Sequence, residues 1–306
     1  MNIIICYTPL HVLIAERIIE LYPNEKFYGV MIYPVDNEKY QHYSEKLQAK
    51  CNQFFSLHQH TDRFNLLKEI IELKYRFYRK NFQRVFVASI NDIQIQFLLS
   101  SISFQHFYTF DDGTANIVPS SVYYKDEPKT FIRRTINRVL HNKYSVEILK
   151  SLSEAHYTIY PDFPNIISNT INIDLFSSLS SSSNVESVSI LLGQPAFLEN
   201  EKNIKLAESV IKKFNIQYYF PHPREQYQLS QVEYIDTPLI LEDYLSQVVK
   251  NKKCKIYTYF SSAVLNVYHN ENIEVTSLRI DTDEPAFIES YELLKKVGIN
   301  IIDIRE

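Results

Sequence analysis

Two aspartates stand side by side at the end of an apolar run. In FYTFDDGTAN, Phe107 to Asn116, the carboxylates of Asp111 and Asp112 are followed at once by Gly113, one of only four glycines in the chain. Crowding two like charges raises the proton affinity of one of them, which makes a general base able to work near neutral pH. The same residues also fit a plain turn, with aspartate capping a helix and glycine supplying a positive φ. A second stretch, YYFPHPRE, holds His222 between Pro221 and Pro223. The prolines fix the backbone on both sides, so an imidazole is presented at a strand end, where it can protonate or hydrogen-bond a leaving phosphate. A stiff surface loop is the plain alternative. Arg224 adds charge there or pairs with Glu225.

Three further stretches have the same double reading. In YTYFSSAVLN, Ser261 and Ser262 open a helical segment, where hydroxyls and backbone N–H groups hold a phosphate or serve only as a cap. In LILEDYLSQ, Glu242 and Asp243 fall in a first helical turn, which favours acids through the helix dipole and also suits a nucleoside hydroxyl. Gly193, Gln194 and Pro195 end the apolar run SVSILL. His58 and His60 in HQH lack the acid–histidine spacing of a metal site, so no metal ligands are assigned. Signatures of nicotinamide dinucleotide binding, P-loop chemistry and an α/β-hydrolase nucleophile are missing.

These residues need elements to position them. Short β-branched or aromatic runs alternate with segments of helical period: NIIIC with Pro9 to Leu21, KFYGVMIY with Asn37 to Cys51, RVFVAS with Asn91 to Ser101, then HFYTF. After Pro164 the pattern dissolves into a serine-rich stretch. It restarts with SVSILLG, a helix from about Glu199, IQYYF, a helix from about Leu241, KIYTYF, IEVTSL, a helix from about Pro285 and INIIDI. Alternation of this kind implies βαβ units and parallel sheets. The expected organisation is a Rossmann-like N-terminal domain over 1–160, a serine-rich linker over 161–186 and a second Rossmann-like domain over 187–306. Ligands of parallel α/β sheets sit outside the carboxyl ends of strands, where the candidate residues fall, so the two halves are expected to line one cleft.

Composition narrows the class. The 306 residues are 45% hydrophobic with a formal charge of −4, enough to fill two cores and without the basic bias of a nucleic-acid binder. Cys6, Cys51 and Cys254 are odd in number and far apart, which fits a reducing compartment better than a disulfide framework. The N-terminal apolar stretch has no basic n-region or cleavage site, and no run of membrane-spanning length follows. A cytoplasmic protein is expected. The cluster RRTINRVLHNK, with Arg133, Arg134, Arg138 and Lys143, is either a solvated helix face or a contact with anionic lipid.

Taken in order, CYTPL, AERIIELYP, FDDGTAN, ILLGQP, FNIQYYFPHPRE, LEDY and IYTYFSSAVLN resemble the bacterial lipooligosaccharide sialyltransferases, glycosyltransferase family 52, and most closely the short Haemophilus and Pasteurella type. The resemblance implies an α/β fold of GT-B type, with two Rossmann-like domains whose parallel sheets face a central cleft. It also implies inverting, metal-independent transfer of sialic acid from CMP-sialic acid to a terminal galactose of lipooligosaccharide, α2,3-linked. His222 then matches the histidine of an HP motif, acting on the CMP phosphate. Glu242 matches the acid near the cytidine ribose, and Ser261 and Ser262 the phosphate-binding serines, with Gly193, Gln194 and Pro223 beside them. The base is expected at Asp111, with Asp112 and Gly113 orienting the loop. Some members carry an aspartate directly after the LLG-x-P loop, where this chain has Ala196, which leaves Glu199 as the alternative base.

CMP-sialic acid and a galactose-terminated glycan are thus the expected partners, with no cofactor, no metal and no nucleic acid. Peripheral association with the inner face of the cytoplasmic membrane and a homodimer are compatible with the sequence. An α-glucosyltransferase of lipooligosaccharide assembly is the alternative on the same scaffold. A non-catalytic sugar-nucleotide binder would have no need of Asp111 and His222 together.

Overall fold

The computed structural model describes residues 1–60, 62–124, 131–176, 186–222, 225–248 and 252–305, with all their side chains except those of Arg63, Ile132 and Glu186. The chain divides into two compact units, Met1–Leu175 and Phe176–Glu306.

The first unit runs β1 (Asn2–Cys6), α1 (Pro9–Glu20), β2 (Phe27–Tyr33), α2 (Glu38–Lys50), β3 (Gln53–His58), α3 (Arg63–Phe77), β4 (Asn81–Val87), α4 (Ile93–Leu99), β5 (Ser103–Phe110), α5 (Phe131–Val139), α6 (Val146–Leu152), β6 (His156–Thr158) and β7 (Thr170–Asn172). Its seven strands are parallel in the order β3-β2-β1-β4-β5-β6-β7. β1 is buried along its whole length, the mark of a central parallel strand covered on both faces, so it reads as an unbroken apolar run. α1 starts where Thr8 accepts a hydrogen bond from the His11 N–H at 3.2 Å and Pro9 supplies a preset φ. Chain order reverses between β1 and β4, which is the topological switch point of the sheet.

The second unit holds β8 (Glu186–Leu192), α7 (Asn200–Phe214), β9 (Tyr218–Phe220), β10 (Glu233–Tyr234), α8 (Leu241–Val248), β11 (Lys252–Thr258), β12 (Ile273–Arg279), α9 (Pro285–Lys296) and β13 (Asn300–Asp303). The sheet is again parallel, in the order β10-β9-β8-β11-β12-β13, with its switch point between β8 and β11. Leu191, Val210, Ile211, Tyr219 and Leu278 form part of its core.

Two features go beyond the sequence expectation. β3 and α3 fill the stretch between Cys51 and β4; β3 is an edge strand with only Phe55 buried, so its apolar signal is weak. The segment expected to begin the linker carries β7, paired with β6 inside the first unit, while 177–185 of the serine-rich stretch lies outside the described residues. Among the described residues no helix is long and apolar enough to cross a membrane.

Candidate active site

In the first unit the loops after β1, β4 and β5 meet at the switch point, and their polar side chains converge on Asp112. His11 Nε2 lies 2.8 Å from Asp112 Oδ1, while the Ser89 and Tyr123 hydroxyls donate to Oδ2 at 3.0 and 2.6 Å. The His11 tautomer follows from its other nitrogen. Nδ1 accepts the Tyr7 backbone N–H at 3.1 Å, so the ring proton sits on Nε2 and is donated to the carboxylate. Burial pushes the Asp112 carboxyl up, but the His11 ring and the hydroxyls of Tyr123 and Ser89 outweigh it and hold the group well below the usual carboxylate range. The Asp112 side chain keeps 27% of its surface exposed, so an ionised carboxylate remains within reach of a ligand. Gly113 follows with φ 59°, the left-handed backbone that turns the chain away from the strand end.

Asp111, the residue expected as the base, has the opposite environment. It is fully buried: Oδ1 takes hydrogen bonds from His156 Nε2 at 2.8 Å and Asn165 Nδ2 at 3.1 Å, and Oδ2 takes the Ile159 N–H at 2.7 Å. The cause is register. β5 pairs with β6 through Thr109 and His156, and Asp111, two residues on from Thr109 and just past β5, leaves on the face that Thr109 and His156 share. Ser153 Oγ donates to the Ala155 carbonyl, hence accepts from Thr109 Oγ1, and Thr109 accepts in turn from His156 Nδ1. With the Nδ1 proton donated to Thr109, Nε2 is left to its 2.8 Å contact with Asp111, and both side chains are fully buried. Asp111 thus braces the loop, and the solvent-facing acid is the one expected only to orient it. Asp112 makes no side-chain cap to the 3-10 turn Gly113–Asn116; its backbone N–H instead donates to Asn116 Oδ1 at 2.6 Å.

The second unit gathers its candidates around its own switch point. Gln194 Oε1 accepts three hydrogen bonds, from Thr258 Oγ1 at 2.9 Å, Tyr259 N at 3.0 Å and Phe260 N at 3.1 Å. Three converging donors identify that atom as the amide oxygen and turn the two N–H bonds of Nε2 the other way. The contact ties the loop after β8 to the end of β11, and Ser261, three residues past that strand, donates its N–H to Thr258 Oγ1 at 3.1 Å. Ser261 Oγ accepts from Ala263 N at 3.3 Å as the cap of the 3-10 turn Ser262–Asn266, and Ser262 is exposed.

His222 follows β9 and is held through Glu225. The Glu225 N–H donates to the His222 carbonyl at 2.9 Å, and the Glu225 carboxylate takes the Tyr219 hydroxyl at 2.6 Å and faces the His222 N–H at 3.4 Å. Burial pushes the Glu225 carboxyl up. This packing explains Gly193: a Cβ there would sit 2.6 Å from Tyr219 Oη and 2.7 Å from Glu225 Oε2. Pro223 and Arg224 lie outside the described residues.

Glu242, in the first turn of α8, is nearly buried and accepts from Asn266 Nδ2, so it links α8 to the turn after Ser262. Glu199 is different. Its side chain is 59% exposed and pairs with Lys202 at 2.9 Å, one helical turn away, and that hydrogen bond lowers its pKa. A groove of about 880 Å³ beside it is lined by Phe197, Leu198, Asp281, Asp283 and Phe287, acids that repel an anionic ligand. His58 and His60 turn ring nitrogens on each other, and His60 Nδ1 pairs with Glu69 at 2.6 Å. Among the described residues no group of three or more His, Cys, Asp or Glu is placed to hold a metal ion.

Sequence reasoning missed His11, Ser89, Tyr123 and His156, because each reaches its partner across the sheet. His11 alone left a signal, a histidine on an otherwise apolar helix start in CYTPLHVL. What these side chains can do is acid–base chemistry: an ionised, partly exposed carboxylate in the first unit, and an imidazole, hydroxyls and amide donors on the strand-end loops of the second.

Residues 24–282 match the model of glycosyltransferase family 52. The chain is 55% identical, over all of both chains, to the CMP-N-acetylneuraminate:beta-galactoside alpha-2,3-sialyltransferase of Pasteurella multocida. It is 38% identical to the N-acetyllactosaminide alpha-2,3-sialyltransferase of Haemophilus influenzae, over 98% of this chain and 99% of that one. Among solved structures it resembles Arabidopsis thaliana UGT89C1 complexed with UDP-L-rhamnose, with a TM-score of 0.55 at 11% identity, over 100% of this chain and 85% of that one. The glycotransferase of kitacinnamycin gives 0.53 at 12% identity, over 99% and 86%. These likenesses give the fold, two Rossmann-like units of GT-B type.

Proposed function

The chain belongs to glycosyltransferase family 52, and we propose that it transfers sialic acid from CMP-sialic acid to the 3-hydroxyl of a terminal galactose, with lipooligosaccharide as the natural acceptor. The observation that carries this reading is the 55% identity, end to end, to a beta-galactoside alpha-2,3-sialyltransferase.

The Asp112 carboxylate accepts the proton of the acceptor hydroxyl as its oxygen bonds to the anomeric carbon and the bond to the CMP phosphate breaks with inversion. Its three donors make it a weak base at the start, so the proton moves late, when the hydroxyl has become acidic through bond formation. Asp111 and His156 keep the loop in place. His222 meets the phosphate oxygen of the departing CMP and offsets the charge that grows there. Ser261, Ser262 and the N–H donors of Gln194 hold anionic oxygens of the donor, and Glu242, with Gly193 and Pro223 shaping the neighbouring loops, completes the nucleotide side. No metal takes part in this scheme. The enzyme works at the cytoplasmic face of the inner membrane, with the basic residues of α5 contributing to lipid contact, and a homodimer is compatible with it.

The test is incubation of the purified chain with CMP-sialic acid and N-acetyllactosamine, followed by digestion of the product with a linkage-specific sialidase. Release of sialic acid from an α2,3-linked product is expected. Failure with CMP-sialic acid, together with turnover of a nucleoside diphosphate hexose, would replace the reading with a hexosyltransferase.

A further inference from the structure

Helix α3 carries apolar residues on two faces. Ile70, Leu73 and Phe77 are buried in the unit, as a helix packed on a sheet requires. The outer face should then be polar, and it is not. Phe64, Leu67, Ile71, Tyr75 and Tyr78, spaced three, four, four and three residues apart, are 68, 38, 52, 87 and 64% exposed. Steps of three and four place them on one stripe, which runs about 20 Å along the helix at 1.5 Å per residue. Scattered surface hydrophobics need no explanation, but five large ones in one line mark a contact surface.

The charges around the stripe say what it meets. Lys68 and Arg79 flank it, against the acids Asp62 and Glu72, while Lys74, Arg76 and Lys80 lie over the Phe97, Phe55 and Phe77 rings at the helix's packed side. Glu72 is paired with Arg76, Asp62 caps the helix through the Asn65 N–H, and Glu69 is buried against His60. The Lys68 ammonium sits 4.4 Å from the centroid of the Phe64 ring and the Arg79 guanidinium 5.1 Å from that of Tyr78, so cations flank the stripe at both ends. In α5 Phe131 and Val139 are 83 and 66% exposed. Two copies of the chain meeting through this stripe about a two-fold axis would bring these cations together. An anionic lipid surface neutralises them and takes up the apolar side chains, with the tyrosines at headgroup depth.

We propose that the outer face of α3 docks the protein on an anionic lipid surface. The inference rests on the proposed function only in that a lipid-borne acceptor gives the docking a purpose; the binding measurement needs no catalysis. The experiment is co-sedimentation of the full chain with vesicles of phosphatidylcholine alone and of equal parts phosphatidylcholine and phosphatidylglycerol. The parent is expected to bind the anionic vesicles only, with affinity falling as salt is added. Lys68→Glu/Arg79→Glu should weaken binding by about fivefold or more per cation, and Ile71→Ser/Tyr75→Ser by about tenfold or more. All four substitutions are at exposed positions, so the thermal midpoint and transfer to a water-soluble galactoside should stay at the parent level. Parent-like vesicle binding by Ile71→Ser/Tyr75→Ser overturns the proposal, as does no binding by the parent at low salt. A lipid-free dimer that this variant converts to monomer also overturns it, since a second copy would then be the occupant. Vesicle binding without any sialic acid transfer would leave this inference standing and sink the proposed activity.

Discussion

His11 Nε2 lies 2.8 Å from Asp112 Oδ1, and the Tyr7 backbone N–H at the opposite ring nitrogen fixes the direction of that hydrogen bond. One turn of α1 and the end of β5 thus hold a carboxylate ionised and partly exposed, while its neighbour Asp111 is sealed against β6. The two adjacent acids should respond differently to the same substitution.

Asp112→Asn keeps the shape but cannot accept a proton, so turnover should fall by about 10²–10⁴ with CMP affinity nearly unchanged. Asp111→Asn should act on the fold: disturbing a buried hydrogen-bonded network costs about 1–3 kcal/mol, read as a lower thermal midpoint. Steady-state kinetics and thermal melts of both variants check this. An active Asp112→Asn enzyme would return the base to another residue, with Glu199→Gln as the next variant to assay.

Asp112 also sets a pH dependence. Its folded pKa lies below the unfolded value, so its contribution to stability is fully present above the unfolded aspartate pKa of about 3.9 and is lost as pH falls toward the folded one. The stability difference between the parent and Asp112→Asn should therefore be flat from neutral pH down to about 5 and shrink below about 4. Urea melts across that range measure it; a gap that closes already near pH 6 would point to a different titrating group.

His222→Ala should lower turnover by about 10²–10⁴. Glu225 acts through His222, and its carboxylate is the acceptor for Tyr219, so Glu225→Ala should lower kcat more than it raises KM for CMP-sialic acid, with partial recovery in Glu225→Gln. Equal losses in Glu225→Ala and Glu225→Gln would show that the charge matters, not the hydrogen-bonded position.

Gly193→Ala forces a methyl into 2.6 Å of Tyr219 Oη. Overpacking of this kind costs about 1–3 kcal/mol, and the displaced Tyr219–Glu225 pair should carry His222 with it. A lower thermal midpoint together with reduced turnover is expected; a parent-like midpoint would mean that the loop moves aside freely.

Transfer in excess EDTA should match that without chelator, since the scheme assigns charge neutralisation to His222 and hydroxyl and amide donors. Loss of activity restored by Mg²⁺ or Mn²⁺ would contradict it.

The alternation of apolar runs with helical periods determined the two parallel α/β units, because a strand buried on both faces and a helix packed on one leave distinct local patterns. β1, α1, β8 and α7 were legible for this reason, and edge strand β3 was not, since half-burial blurs the pattern. The ordered set of strand-end stretches also carried the family and with it His222, Ser261 and Glu242 as candidates. Which aspartate of the pair faces solvent was beyond the sequence. Adjacent residues leaving a strand point to opposite sides, and only the pairing of β5 with β6 decides that Asp111 is the one received by His156. The same holds for His11, Ser89 and Tyr123, separated by tens of residues and joined on Asp112 by the reversal of strand order between β1 and β4. The exposed line on α3 was hidden too, because a helix apolar on both faces looks in sequence like one that is simply well buried.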